Sequence, residues 1–256
     1  MKKFLFYVVL GTLMFFNCRY ALASVQTDIE QANKTGKAVF LVVTEPGVKE
    51  TGQALDIAKG AQKLAPASAV LEMNRADTAN SQFVTKYGLA AAPVPLIVLI
   101  ASNGVVAGGL PAEKASPDML AKMIPSPGKA EIVKALSEGK AVFVIASRNS
   151  MGDRFKVLET CKNASKELKD KAVSVALDMD DKKESSFLQQ LRVNMDSTEP
   201  ATLVVNSQGQ VTGNFTGPVE VAKLTQAATT VARGGCGPSS KGCGPSNKGC
   251  AVPPAR

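Results

Sequence analysis

The sequence predicts an α/β protein made of two tandem units of similar size. Three observations carry this prediction. Short apolar runs alternate with helical patterns along most of the 256 residues. The pentapeptide Gly-Lys-Ala-Val-Phe occurs at residues 36–40 and again at 139–143. Residues 125–128, Pro-Ser-Pro-Gly, have the composition of a linker and lie between the two copies.

The N-terminus is typical of a secretory signal peptide. Lys2 and Lys3 precede an apolar run over residues 4–16, and Ala21-Leu22-Ala23 forms an A-x-A site. The run is shorter than the about 20 residues of a membrane-spanning helix. We predict cleavage after Ala23 and export to the bacterial periplasm or the outside of the cell, with no stable membrane span afterwards. An uncleaved anchor is the alternative.

The composition excludes several kinds of chemistry. The chain contains no histidine, which rules out a Ser-His-Asp triad, a Cys-His pair and an H-E-x-x-H zinc site. Loss of Lys2, Lys3 and Arg19 with the signal lowers the formal net charge from +8 to +5. Outside the C-terminal tail the lysines are scattered rather than clustered, so we expect no nucleic-acid partner.

The first unit follows the signal and occupies residues 24–124. Its first helix is predicted from a capping box, in which Thr27 is the N-cap and Glu30 lies three residues later. The remaining elements are predicted as follows: strand 38–43, helix 49–64, strand 69–73, short helix 80–87, strand 96–100, an Asn-Gly hairpin turn at 102–104, a return strand from 105 and helix 116–123.

The second unit, residues 129–232, repeats this order. Its predicted elements are helix 130–137, strand 141–145, helix 153–168, strand 172–177, short helix 185–191, strand 202–205, a turn at 207–209, strand 211–213 and helix 218–231. Pro95 lies nine residues before Gly104, and Pro200 lies nine residues before Gly209. The repeated order and the matching spacing indicate an internal duplication.

The order of elements resembles the thioredoxin fold, and two segments are similar in sequence to thioredoxin-like domains. These segments are EQANKTGKAVFLVV and KYGLAAAPVPLIVLIASNGVV. The resemblance covers residues 26–124 and 129–232. It implies two thioredoxin-like domains, each with a central mixed sheet flanked by helices, followed by a disordered tail over residues 233–256.

The resemblance also implies a cis-proline beside a peptide groove in each domain. Pro95 and Pro200 match that proline by their spacing to the hairpin turn, and Pro93 is the rival of Pro95 because its distance from Tyr87 fits better. In thioredoxins the backbone before the cis-proline pairs with an extended peptide. Val94 and Glu199 hold those positions in this chain.

The thioredoxin signature Cys-x-x-Cys is absent from both matching places. Residues 44–49 read Thr-Glu-Pro-Gly-Val-Lys, and residues 147–152 read Ser-Arg-Asn-Ser-Met-Gly. Ordinary thioredoxin catalysis is therefore excluded from both grooves. We expect no catalytic residues there, and packing alone is the alternative to peptide binding.

The remaining cysteines fall into two groups. Cys161 follows the apolar spacing of the second long helix, which predicts a buried free thiol. Cys236, Cys243 and Cys250 lie seven residues apart in a tail of glycine, proline, serine, lysine and asparagine that cannot bury enough apolar surface to fold. They are candidates for disulfides within the tail or to another chain, for a Cu(I) or Zn site, or for a mobile redox arm. A low-complexity repeat without a role is the fourth interpretation.

Together these observations predict an exported, non-catalytic protein that binds or positions a protein or peptide partner. The tail would cross-link the chain, including into a disulfide-linked oligomer, or hold a soft metal. Two alternatives stay open at this point, namely a thiol–disulfide oxidoreductase that works through the tail cysteines and a periplasmic carrier of copper or zinc.

Overall fold

The structure, a computed structural model, describes residues 24–231. The predicted signal peptide and all of the predicted tail lie outside these residues. The first unit contains α1 (Val25–Lys34), β1 (Ala38–Thr44), α2 (Thr51–Leu64), β2 (Ser68–Asn74), α3 (Ser81–Lys86), β3 (Leu96–Ile100), β4 (Val106–Pro111) and α4 (Pro117–Met123). Single 3₁₀ turns lie at Thr78–Asn80, Leu89–Ala91 and Ala112–Lys114.

The second unit repeats this series with the same strand and helix order. It contains α5 (Pro127–Ser137), β5 (Ala141–Ser147), α6 (Arg154–Glu167), β6 (Ala172–Asp178), α7 (Lys182–Gln190), β7 (Ala201–Val205), β8 (Val211–Thr216) and α8 (Val221–Thr229). The predicted strands and helices are therefore present, with shifts of a few residues at their ends.

Each unit has one four-stranded mixed sheet. The strand order is β2-β1-β3-β4 in the first unit and β6-β5-β7-β8 in the second. In both sheets the first two strands pair in parallel, β3 and β7 run antiparallel to them, and β4 and β8 run antiparallel to β3 and β7 respectively. This order, with helices on both faces, is the thioredoxin fold, and it confirms the fold that the sequence resemblance implied.

The two sheets also agree in register. Val39 pairs with Ile100 in the first sheet, and Val142 pairs with Val205 in the second. Both β3–β4 and β7–β8 have an irregularity at the last residue pair of the inner strand, next to Ile100 and Val205 respectively. Because even this local defect recurs, the structure supports the duplication that the sequence pattern predicts.

The central strand of each unit is buried at every position. All seven residues of β1 and all seven of β5 are buried, as the continuous apolar runs predict. One face of the first sheet packs against α1 and α3, and the other packs against α2 and α4. The close approach of α2 to α4 uses Gly60, since a Cβ built there would lie 2.8 Å from Pro117 Cγ.

One local prediction is wrong, and a helix begins inside the predicted linker. Helix α1 begins at Val25, so Thr27 lies inside the helix and is not its N-cap. The Asn80 side chain accepts instead from the Val25 N–H at 3.1 Å, a contact between distant residues that a local capping pattern cannot reveal. The second half of the predicted linker 125–128 is helical, because α5 begins at Pro127 and Ser126 caps it by accepting from the Lys129 N–H.

A buried carboxylate holds this junction between the units. The Ser126 hydroxyl donates to Glu184 Oε2 at 2.6 Å, and the Gly128 N–H donates to Glu184 Oε1 at 2.8 Å. A Cβ built on Gly128 would lie 2.1 Å from Leu177 Cδ2, so only glycine fits against β6 at this point. Glu184 thus takes in the second unit the place that Asn80 takes in the first.

Within residues 24–231 no helix combines the length and the apolar character that a membrane crossing requires.

Candidate functional site

The two loops that would form a thioredoxin groove meet at one end of the inner strands of each sheet. In the first domain β1 runs antiparallel to β3, and Val43 pairs with Leu96. The loop after β1 therefore comes to lie beside the segment that precedes β3. As the sequence shows, neither loop contains a cysteine, so the site offers backbone groups, carboxylates and prolines instead of thiols.

Arg75 connects these two loops. Its guanidinium binds Glu45 Oε2 at 2.8 Å, directly after β1. It also donates to the carbonyl oxygens of Leu89 and Ala92, at 3.2 and 2.6 Å, in the segment before Pro95. Only 16% of the Arg75 side chain is exposed, so this network fixes the pre-proline segment against the loop after β1.

The second domain contains the same network with the arginine and the carboxylate exchanged. Arg148 follows β5 directly, at the position that matches Glu45, and binds Asp180 after β6 at 3.0 Å. It also donates to the carbonyl oxygens of Met195 and Ser197. Ala92 and Ser197 each lie three residues before the proline, so both arginines fix the same part of the groove. Sequence reasoning missed both, although the offset between the repeats aligns Glu45 with Arg148.

The first domain has a cis peptide bond at Val94–Pro95, and Pro93 is thereby excluded as the cis-proline. A cavity of about 290 Å³ lies beside this bond. It is lined by the prolines 93, 95 and 111, by Val94 and Ala112, and by the polar side chains Glu50, Gln53 and Glu113. Neither glutamate makes a salt bridge within the described residues, so the cavity carries unpaired negative charge.

The backbone of Val94 is unpaired. Among residues 24–231 neither its N–H nor its carbonyl oxygen has a hydrogen-bond partner. The next residue, Pro95, is already engaged, because its carbonyl accepts from the Ala112 N–H at 2.9 Å. Val94 is half-buried, and unpaired backbone groups at such a position are available to an incoming strand.

The second domain differs at the matching proline. Within the described residues the cis bond at Pro95 is the only one, so the prediction that Pro200 is cis is wrong. The spacing to the hairpin turn located the proline correctly, since the Pro200 carbonyl accepts from the Gly217 N–H as Pro95 does from Ala112. Spacing carries no information about the isomer, and trans is the ordinary state of an X-Pro bond.

The pre-proline residue of the second domain is also occupied. The Ser197 hydroxyl accepts from the Glu199 N–H at 3.1 Å and donates to the Glu199 carbonyl at 2.8 Å. The Glu199 carboxylate lies against Gly217, with Oε2 at 3.0 Å from a Cβ built there. Glu199 and Pro200 therefore lie where the sequence placed them, but the Ser197 side chain already satisfies both backbone groups of Glu199, and the Gly217 N–H already binds the Pro200 carbonyl.

Cys161 is a buried free thiol, as predicted. It is fully buried in the core between α6, α8 and the sheet of the second domain. Burial raises the pKa of the Cys161 thiol from 9.0 to about 11, and the nearby Thr202 hydroxyl lowers it in part. Thr202 Oγ1 is itself buried and makes no hydrogen bond of ordinary geometry within residues 24–231.

We expect the Cys161 thiol to resist alkylation in the folded protein at pH 8, because the thiolate is rare there. The raised pKa also stabilises the fold below pH 9. The free energy of unfolding should fall as the pH rises from about 9 to about 11, because the unfolded thiol loses its proton first. Peptide mass spectrometry after iodoacetamide treatment measures the alkylation of Cys161. A Cys161→Ala variant should lose the fall in the free energy of unfolding between about pH 9 and about pH 11. If Cys161 were alkylated as fast in the folded protein as in denaturant, its assignment as a buried thiol would be contradicted.

The tail cysteines Cys236, Cys243 and Cys250 lie outside the described residues. Within residues 24–231 no group of three or more histidine, cysteine, aspartate or glutamate side chains could hold a metal ion. A Cu(I) or Zn site at the tail therefore stays a prediction from the sequence.

These features define a protein of two tandem thioredoxin-fold domains without thiols at the usual site.

No family model and no curated protein matched the sequence. Among solved structures, human ERp44 in its zinc-bound form is 11% identical, with a TM-score of 0.36, over 80% of this chain and 57% of that chain. The first two thioredoxin domains of Saccharomyces cerevisiae Eps1p are 10% identical, with a TM-score of 0.30, over 82% and 97% of the two chains. The N-terminal domain of Enterococcus faecalis AhpF is 13% identical, with a TM-score of 0.25, over 79% and 98%. At such low values the fold assignment depends on the strand order described above.

Proposed function

We propose that this chain is a non-catalytic binding protein whose first domain holds an extended peptide segment at Val94. The observation that carries this proposal is the unpaired N–H and carbonyl of Val94 beside Pro95 and an open cavity. An extended peptide that lies beside Val94 would gain two backbone hydrogen bonds without any change in the domain. Pairing of this kind needs no cysteine.

The cavity lining indicates which peptides would bind. Glu50 and Glu113 place two carboxylates at the cavity, and Gln53 adds an amide. The prolines and Val94 provide an apolar floor for one side chain. We therefore expect a preference for segments in which an apolar residue alternates with lysine or arginine, and weaker binding of acidic segments.

The second domain has a different part in this proposal. Ser197 satisfies both backbone groups of Glu199, so a peptide would have to displace an internal contact before it could pair there. We propose that the second domain supports the first and positions the tail, which follows α8. Glu199 and Pro200 are accordingly weaker candidates for peptide contact than Val94 and Pro95.

A matched pair of variants tests the proposal. Gln53→Tyr fills the cavity from an exposed position on α2, and Lys156→Tyr makes the same change at the matching position on α6. The probe is a short fluorescein-labelled peptide of alternating valine and lysine, and binding is read by fluorescence anisotropy. We expect Gln53→Tyr to weaken binding by about tenfold or more, as for a blocked interface centre, and Lys156→Tyr to leave it unchanged.

Failure of the unmodified protein to bind this probe, or an equal effect of the two variants, would overturn the assignment to the first domain. A peptide with glutamate in place of lysine tests the charge preference separately. Stronger binding of that peptide would contradict the expected role of Glu50 and Glu113.

Export and the role of the tail belong to the same proposal. The basic start, the apolar run and the A-x-A site support removal of residues 1–23, which N-terminal sequencing of the exported protein tests. Intact mass spectrometry without reductant distinguishes a metal adduct on the tail from a disulfide or a covalent dimer. Reductase activity that disappears when residues 233–256 are deleted would instead favour the oxidoreductase alternative.

A further inference from the structure

A second cavity lies where the two domains meet and carries the opposite charge. It has a volume of about 390 Å³ and lies between the end of α4, the start of α5 and the side of α7. Three lysines line it, Lys122, Lys129 and Lys183. No aspartate or glutamate is among its lining residues, in contrast to the cavity beside Pro95.

Within the described residues none of the three lysines forms a salt bridge. The salt bridges within the described residues involve Arg75, Lys140 and Arg148, and none of the cavity lysines. Lys129 is half-buried, and its Nζ lies 5.6 Å from the centre of the Phe187 ring, which also lines the cavity. Ammonium groups gathered around one space repel one another, and a bound anion would remove that cost.

The carboxylate that contacts the lining residue Ser126 is already engaged. Glu184, on α7, accepts hydrogen bonds at both of its oxygens, from the Ser126 hydroxyl and the Gly128 N–H. It is 5% exposed and so cannot extend into the cavity to pair with a lysine. Asp181, at the start of α7, likewise accepts from the Lys183 N–H at 2.8 Å.

The rest of the lining shows what else the ligand would contact. Ser186 and Gln190 offer further polar groups, whereas Met123, Ile124 and Phe187 form an apolar wall. The volume is within the range of small-molecule sites, which begins at about 300 Å³. A ligand that fits this lining has an anionic head and an apolar body.

We infer that this cavity binds a small organic oxyanion, a phosphate ester or carboxylate with an apolar body. Its head would contact Lys129 and Lys183, and its body would pack on Phe187. Because the lining comes from β4 and α4 of the first domain and from α5 and α7 of the second, the bound anion would also hold the two domains together. This site is independent of the peptide site proposed at Val94.

The test uses phenyl phosphate and benzoate as anionic probes and benzyl alcohol as a neutral one, with isothermal titration calorimetry on the full chain. We expect saturable binding of at least one anion and none of benzyl alcohol. The double variant K129Q/K183Q should weaken binding by about tenfold or more, since two charge-assisted contacts are removed. The matched variant K63Q/K166Q, which changes the net charge equally at exposed sites on α2 and α6, should leave binding unchanged.

Binding of phenyl phosphate alone, or of benzoate alone, identifies the head group and supports the site. No saturable binding of either anion would overturn it. The inference is also overturned if the two double variants weaken binding equally, because net charge would then explain the effect, or if benzyl alcohol binds as well as the anions. Circular dichroism spectra that match the unmodified protein establish that the variants are folded.

Discussion

Replacing Arg75 with alanine should destabilise the first domain by about 2 kcal/mol, because hydrogen bonds to a charged group are lost and the Ala92 carbonyl oxygen is left without a donor. Arg75 binds Glu45 and the carbonyl oxygens of Leu89 and Ala92, and its side chain is 16% exposed. An ordinary surface ion pair contributes much less, since its charges stay in water. The loop before Pro95 should also lose its fixed position, so peptide binding should weaken together with stability.

Denaturant unfolding followed by tyrosine fluorescence measures this effect in the first domain. Tyr87 is the only tyrosine in residues 24–256, and the chain contains no tryptophan. Arg154→Ala is the control, because Arg154 makes no salt bridge within the described residues and lies in the second domain. A change below about 0.5 kcal/mol for Arg75→Ala, the usual range of a neutral surface substitution, would show that the loops do not depend on this network.

Replacing Glu184 with alanine should cost about 2–3 kcal/mol, because two charge-assisted hydrogen bonds disappear and the Gly128 N–H and Ser126 hydroxyl lose their acceptor. The carboxylate also lies at the N-terminus of α5, where negative charge is favourable. Glu184→Gln keeps the shape and one acceptor oxygen, so we expect a smaller loss from that variant.

Far-UV circular dichroism and Tyr87 fluorescence, recorded on the same samples, separate the two domains. Glu184→Ala should shift the unfolding curve seen by circular dichroism more than the curve seen by fluorescence. The matched variant is Asn80→Ala, which removes the corresponding side chain of the first domain and should affect the fluorescence curve more. Unfolding curves for Glu184→Ala that overlay those of the unmodified protein would contradict the role given to this carboxylate.

Much of the fold could be predicted from the sequence because its strongest signals are local. The runs at 38–43 and 141–145 are short and apolar at every position, a pattern typical of a strand buried on both faces. The Asn-Gly turn also behaves as predicted, since Gly104 has a φ of 84° in the connection between β3 and β4. The repeated spacing placed Pro95 and Pro200 at matching points of the two sheets.

The site could be predicted only in outline because its decisive contacts join residues that are far apart in the chain. Arg75 reaches Ala92, and Arg148 reaches Ser197, across loops whose relative positions depend on the sheet. The isomer of Pro200 and the hydrogen bonds of Ser197 to Glu199 leave no pattern in composition or spacing. An internal alignment that compared Glu45 with Arg148 would have indicated the exchanged ion pair.

The two domains therefore share a fold but differ at the groove. Both have an arginine that fixes the segment before the proline, although Arg75 follows β2 and Arg148 follows β5. The first kept an unpaired backbone at Val94, whereas the second satisfied the backbone of Glu199 with Ser197. We infer that the groove of the first domain was kept for binding, whereas the second domain came to support the first.

Amide hydrogen exchange at Val94 and Glu199, measured by nuclear magnetic resonance with and without the valine–lysine peptide, tests this difference most directly. The account predicts that the Val94 N–H exchanges fast in the free protein and becomes protected when the peptide is added. The Glu199 N–H should show the same exchange rate in both samples, because Ser197 already accepts its hydrogen bond. Protection of Glu199 without protection of Val94 would contradict the assignment of the groove to the first domain, and no change at either amide would contradict peptide binding by backbone pairing.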